Sequence, residues 1–263
     1  MTPSTTSPNH KTILHVLIPP VFWLGAWQLA AMAVDWQLGG KGNELLLPYP
    51  LTVLATLVSL AGTAPFWQAV GLTLGRILAG LVTGTLLGVL LALLTCASRW
   101  ADLLLSPAIR VVRATPVVSF IVLVLLWVHT DRVPAVISAL MVLPVIWANV
   151  SKGIRETDPQ LLELARAYGF GRAKTLRLIG LPSVQPYFTA GITTAIGLAW
   201  KSGVAAEVLC QPLRAIGTQV FRSRITLEVP ALFAWTVTVV ALSLLLESAL
   251  TRLIRRLGRR DRP

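Results

Sequence analysis

The sequence predicts an all-α membrane protein with about six transmembrane helices and both termini on the cytoplasmic side. Three observations predict it. Hydrophobic residues make up 55% of the 263 residues and charged residues only 13%, against roughly 25% charged in a soluble globular domain. Lipid must therefore solvate much of the apolar surface. The apolar residues gather in runs long enough to cross a bilayer, which takes roughly 20 residues per helix. The basic residues, which bring the net charge to +12, cluster at the ends of those runs and in the C-terminal tail. That placement fits topology control and anionic lipid headgroups. It argues against nucleic acid, the partner that the same charge on a soluble chain would suggest.

Six runs follow in order. The first, 13–34, contains Ala31-Met32-Ala33, which resembles a signal-peptidase site. It is longer than the ~7–15 residues of a signal core and has only Lys11 before it, so a retained first span is expected. The outer segment 35–67 is broken by Leu47-Pro48-Tyr49-Pro50, and 51–60 reads as a short amphipathic helix. The second run is 68–96. The third, 114–129, is short, and extends back toward Ile109 if Arg110 and Arg113 snorkel to the interface. The fourth, fifth and sixth are 133–150, 184–209 and 230–253.

Orientation follows from the loops. With the N-terminus inside, Lys11, the loop 99–113, the loop 151–182 and the tail hold sixteen of the 23 Lys and Arg residues. The outer segments hold five: Lys41, Arg132, Arg214, Arg222 and Arg224. That bias is the positive-inside pattern.

Within the second run Gly80, Gly84 and Gly88 recur every four residues, as do Gly191, Ala195, Ala199 and Gly203 in the fifth. Small residues at this spacing let helices approach closely in lipid. Simple bundle packing and a pathway between those helices are both compatible with the pattern. Arg76, Lys201, Glu207 and Glu247 lie in or near apolar runs, where an ionisable group needs a partner or water. Arg76 and Glu247 read either as snorkelling residues near span ends or as paired groups. Lys201 and Glu207 sit deeper and, six residues apart, do not share a helix face. Lys201 either attracts an anionic solute or joins an ion pair between helices; Arg76, Lys201 and Glu207 are the candidate pathway residues.

Catalysis has no constellation here. Cys96 and Cys210 belong to no CxxC motif and are expected at opposite membrane faces, and His10, His15 and His129 show no ligand spacing. No metal, cofactor or nucleophile–base set is expected. A Walker A loop is missing too: Gly40-Lys41 is followed by Gly42, and Asp35 stands where the first Gly belongs. The chain is therefore not expected to be an enzyme.

The loop 151–182 is too long for a plain connection. Asp158-Pro159 is a helix start. Leu161, Leu162, Ala165 and Tyr168 recur at helical spacing, and Gly169 and Gly171 stop the helix. Residues 172–179 read as a second short basic helix that Pro182 ends before the membrane is re-entered. The pair either lies on lipid headgroups or docks a cytoplasmic partner.

Its residues are specific. Glu163-Leu164-Ala165, three residues, Gly169, nine residues and Ile179-Gly180-Leu181-Pro182 resemble the E-A-A-x3-G-x9-I-x-L-P loop of permease subunits of bacterial ABC importers. Leu164 replaces the first Ala. Leu47-Pro48-Tyr49-Pro50, the segment 73–88 with Arg76, Arg113-Ala114-Thr115-Pro116, and Ala199-Trp200-Lys201 through Ala206-Glu207 are similar to the nitrate/sulfonate/taurine branch of that family. Phe120 and His129 depart from the branch's pattern.

The resemblance implies a type I ABC importer permease fold in the bacterial inner membrane, with residues 1–263 as one permease domain. It implies a second permease copy forming a homodimer, cytoplasmic ABC ATPase subunits, and an extracytoplasmic solute-binding protein. Membrane lipid surrounds the chain. Glu163, Ala165, Gly169, Ile179, Leu181 and Pro182 are then the ATPase-coupling residues. Glu163 either stabilises the helix pair or contacts the ATPase, and Ile179 and Leu181 anchor the short helix. The solute is a small anion such as a sulfonate, nitrate or taurine, or a neutral heterocycle such as a vitamin precursor. A secondary transporter would favour inverted repeats, and a membrane-embedded enzyme would need clustered polar groups at one face; neither is visible.

Overall fold

The computed structural model describes residues 10–38 and 43–259, which are mostly helical, with no strand among them. Lys41, the Gly40-Lys41-Gly42 segment, Arg260 and Arg262 lie outside the described residues. The helices are α1 (His10–Gln37), α2 (Asn43–Leu46), α3 (Pro50–Ala61), α4 (Ala64–Ala97), α5 (Arg99–Ala114), α6 (Val117–Val124) and α7 (Val133–Arg155). They continue as α8 (Pro159–Ala167), α9 (Arg172–Thr175), a π-helical turn Leu176–Gly180, α10 (Leu181–Cys210), α11 (Ile216–Ile225) and α12 (Val229–Arg259).

Among the described residues, α4, α7 and the part of α12 from Val229 to Arg252 are long and apolar enough to cross a membrane. The pair α5 and α6 adds a fourth span if taken together. About six were expected. The other two expected spans fall on α1 and α10, which have 28 and 30 residues. At 1.5 Å per residue, about 45 Å for α10, these have the length. Lys201, Glu207 and the threonines and glycines of α10 dilute its apolar character.

The third span differs from the continuous helix expected. Thr115 is extended (ψ 133°) ahead of Pro116, as the residue before a proline prefers, and the chain bends by 105° between α5 and α6. α5 is an amphipathic helix of its own, capped by the Ser98 hydroxyl, which accepts a bond from the Ala101 N–H.

The chain forms two compact units. One comprises the described residues up to 66 together with 220–238. In it Phe66 stacks on Trp235 at 5.0 Å, Trp27 packs on Phe233, and the Trp27 indole donates to the Pro48 carbonyl. The other comprises 67–219 and 239–263. Its core is built from Ile77 and Leu81 of α4, Val142 and Ile146 of α7, and Ile196, Ala199 and Trp200 of α10. Leu242, Leu246 and Leu250 of α12 pack against it.

Glycine sets the spacing in this second unit. A Cβ on Gly84 would stand 2.6 Å from the Ala139 carbonyl oxygen and 2.9 Å from its Cα. A Cβ on Gly203 would stand 2.6 Å from both Ile77 Cγ1 and Ser138 Oγ, so α4, α7 and α10 meet at that point. Gly80, Gly88 and Gly191 are equally crowded, by Ala135, Ile146 and Asn149. Gly71 and Gly75, on the same helix α4, have nothing within 4 Å.

This contrast gives a test. Gly84→Ala must push α7 away and is expected to lower stability by about 1–3 kcal/mol, read as thermal unfolding in detergent. Gly75→Ala meets only open space, and its melting point should stay within error of the parent. Equal effects at the two positions would contradict the close approach.

Candidate functional site

Two regions carry the polar chemistry. The first lies within the helices. Glu207 of α10 is fully buried. Its carboxylate accepts the Thr73 hydroxyl at 2.9 Å and the Gly217 N–H at 3.2 Å. Thr73 in turn accepts the Ile216 N–H at 3.0 Å. The first turn of α11 is thereby held by a side chain of α4 and one of α10. Arg76, one turn along α4 from Thr73, faces Glu207 at 3.6 Å and pairs with Asp131 at 3.0 Å. It also donates to the Leu213 carbonyl at 3.1 Å.

Arg76 is therefore neither free nor snorkelling: its side chain is 14% exposed and spans two carboxylates. A buried carboxylate of this kind persists only with partners that replace water. Thr73 and Asp131 escaped sequence reasoning. Thr73 was legible as a neighbour of Arg76 at three-residue helical spacing. Asp131 had no local signal, since it sits in the short link before α7.

Lys201 has the opposite setting. It is exposed and makes no hydrogen bond or ion pair among the described residues. Each α-helical residue advances about 100°, so Lys201 and Glu207 point about 120° apart. Glu207 enters the packed core while Lys201 leaves it. Of the three candidate pathway residues, the structure brings Arg76 and Glu207 together and leaves Lys201 apart.

The second region follows α7. The Asp158 side chain accepts the Gln160 N–H at 2.8 Å, and Pro159 opens α8. α8 ends in a left-handed turn: Gly169 has φ +65°, and the Phe170 N–H returns to the Ala165 carbonyl at 2.8 Å. A non-glycine residue is strained at that φ. Ala165 is buried, while Leu161, Leu164 and Tyr168 are exposed. Glu163 is exposed and makes no side-chain bond to the helix or the turn among the described residues. Lys174 lies 3.9 Å over the Phe170 ring.

Here the chain departs from the expected second helix. Pro182 does not end it. α9 runs through the π-turn into α10 without a break. Leu181 keeps helical angles (φ −62°, ψ −47°), and its N–H reaches back to the Leu176 carbonyl. That wider turn accommodates the ring and missing N–H of Pro182. Ile179 is half-buried, but Leu181 and Pro182 are exposed, so Leu181 does not anchor the helix here.

The sequence of residues 84–259 matches the family described as "Binding-protein-dependent transport system inner membrane component". SsuC of Escherichia coli (strain K12), a permease protein named for aliphatic sulfonates transport, is 30% identical over 77% of this chain and 76% of its own. The taurine transport system permease protein TauC of the same organism is 27% identical, covering 82% and 80%. The bicarbonate transport system permease protein CmpB of Synechococcus elongatus is 24% identical over 70% of each chain. Among solved structures, a bacterial ABC transporter involved in import of the acidic polysaccharide alginate aligns with a TM-score of 0.62. It covers 93% of this chain and 95% of its own at 17% identity, a likeness of fold.

The buried pair is testable. Arg76→Met strands Glu207, and is expected to cost about 3–5 kcal/mol of stability. Arg76→Met combined with Glu207→Met should cost less than the sum of the single changes. Thermal unfolding of the four proteins in detergent reads the coupling; strict additivity would show that the two side chains do not interact.

Proposed function

Because the chain belongs to the family of binding-protein-dependent transport system inner membrane components, as a multi-pass inner-membrane permease of the ABC importer type, we propose that it forms the translocation pathway for a small anionic solute and is driven by separate ATPase subunits docked on residues 151–182. The observation that carries the reading is the unbroken helix from Arg172 to Cys210. It joins an exposed helix pair to an unpaired lysine, Lys201, in mid-span. At 1.5 Å per residue it is a rod of about 58 Å.

In this mechanism the ATPase grips the exposed face of α8, through Leu161, Leu164, Tyr168 and the free carboxylate of Glu163. Gly169 makes the turn that returns the chain toward the membrane. Ala165 and Ile179 seat the pair on the rest of the protein, and Leu181 and Pro182 lie where the rod meets the membrane. A displacement of the pair moves α10 as a whole. The polar cluster of Arg76, Asp131 and Glu207 ties α10 to α4 and to the start of α11, so these segments move with it. Lys201, lacking a partner, supplies the positive charge that an anion needs in a low-dielectric passage.

Both termini and the segment 151–182 lie in the cytoplasm, as the Lys/Arg bias requires. Residues 1–263 act as one permease domain. The pathway is completed by a second copy of the chain, and a solute-binding protein delivers the solute from the outer side. The sulfonate, taurine and bicarbonate names carried by relatives support an anionic solute.

Two experiments test the two halves. Gly169→Asp, in cells supplied with the ATPase and binding protein, is expected to insert normally and to abolish uptake; full uptake would remove 151–182 as the coupling element. Lys201→Met is expected to raise KM for the anion at least tenfold, about 1.4 kcal/mol, with the permease still copurifying with its ATPase. An unchanged KM would remove Lys201 from the pathway.

A further inference from the structure

At the end of α7 nearest α8, α5 and α7 enclose a cleft of about 360 Å3. It shares no residue with the Arg76–Glu207 cluster or with the helix pair. Three cations and two carboxylates line it. Asp102 is already satisfied: it accepts the Ser106 hydroxyl and pairs with Arg155 at 3.2 Å. Arg110 and Lys152 form no hydrogen bond or ion pair among the described residues; Lys152 merely lies 5.9 Å from the Tyr187 ring centroid. Glu156, exposed, offsets one of them. The wall keeps one uncompensated positive charge.

A second observation is independent of that charge. Ser151 stands in the same wall, only 6% exposed, and its hydroxyl has no hydrogen-bond partner among the described residues. A serine within a helix can return its hydroxyl to the carbonyl one turn back; this one does not. The free groups of the wall are thus a guanidinium, an ammonium and a hydroxyl, all able to donate. A ligand rich in acceptor oxygens suits them.

The surroundings favour a source. Trp100, Leu103, Leu104 and Val111 of α5 are 64–76% exposed. In a chain that crosses a bilayer, acyl chains cover such side chains. Headgroups then lie level with the polar face of α5, which carries Arg110.

We propose that this cleft binds a phosphate-type oxyanion through Arg110, Lys152 and Ser151, supplied by an anionic phospholipid headgroup or by free phosphate. Polar contacts of this kind fix one ligand between α5 and α7, next to the segment that leads into α8. The cleft shares Ser151, Lys152, Arg155 and Glu156 with the segment 151–182 but none of the α8 residues offered to the ATPase, so loss of lipid binding with uptake retained would leave the import reading untouched.

The full-length protein, purified in detergent, is titrated with phosphatidylglycerol and phosphatidylcholine by native mass spectrometry, and with inorganic phosphate by calorimetry. One phosphatidylglycerol per chain is expected, weakened about tenfold by Arg110→Gln or Lys152→Gln and detectably by Ser151→Ala, with phosphatidylcholine unaffected. Ala148→Phe, which fills the cleft and removes no charge, should abolish the bound lipid. If inorganic phosphate binds with the same sensitivity and displaces the lipid, the oxyanion site stands and free phosphate is its source. A melting point for each variant identifies any that fails to fold, and the others then decide. Binding of both ligands unchanged in the folded variants would overturn the proposal.

Discussion

The structure turns on how closely three helices approach at Gly203. There α10 has no side chain, and Ile77 of α4 and Ser138 of α7 occupy the space. The Ser138 hydroxyl bonds to the Ala199 carbonyl at 3.0 Å, one turn before Gly203. One turn after it comes Glu207. At this short range the Glu207 carboxylate reaches Thr73 and Arg76 of α4 without leaving the core. Helix packing in lipid gains nothing from the hydrophobic effect, because lipid is as apolar as leucine. Close backbone contact and polar bonds between helices must supply what holds the helices together, and here the first makes the second possible.

The same geometry separates two opposite charges on one helix. Glu207 faces the packed side of α10, and Lys201 the open side. A buried carboxylate held by an arginine, a hydroxyl and a helix N–H is costly to disturb, so it suits a fixed joint. Lys201, exposed and without a partner among the described residues, has no such structural tie. α10 therefore joins a packed face and an exposed, charged face on one rod, and the rod is continuous with α9 through the π-turn. The π-turn at Leu176–Gly180 keeps that continuity across Pro182, where an ordinary helix would kink or stop.

Hydropathy and glycine spacing made the long helices legible, because both depend on residues close in sequence. The positions of α3 and α8 follow from proline and capping signals at their starts. Four features were not legible. The 105° bend at Thr115–Pro116 splits the run extended back to Ile109, and hydropathy has no direction. Pro182 read as a stop because local preference says so, yet the π-turn at Leu176–Gly180 carries the helix through it. The partners of Arg76 lie 55 and 131 residues away along the chain, and the cleft between α5 and α7 draws on residues some fifty positions apart. No periodic signal spans such distances. The loop from Glu163 to Pro182 was the reverse case: its spacing carried the family resemblance before any geometry did, while Leu181, expected as an anchor, is exposed.

The central claim is that ATP-driven movement of the segment 151–182 changes the surroundings of Lys201. The direct test places a thiol there, with Lys201→Cys in a chain carrying Cys96→Ser and Cys210→Ser, assembled with its ATPase in vesicles. The rate of labelling by a membrane-impermeant maleimide is followed from each side, with and without ATP. The account requires labelling to shift from one side to the other when ATP binds. Equal rates with and without ATP, from both sides, would contradict it.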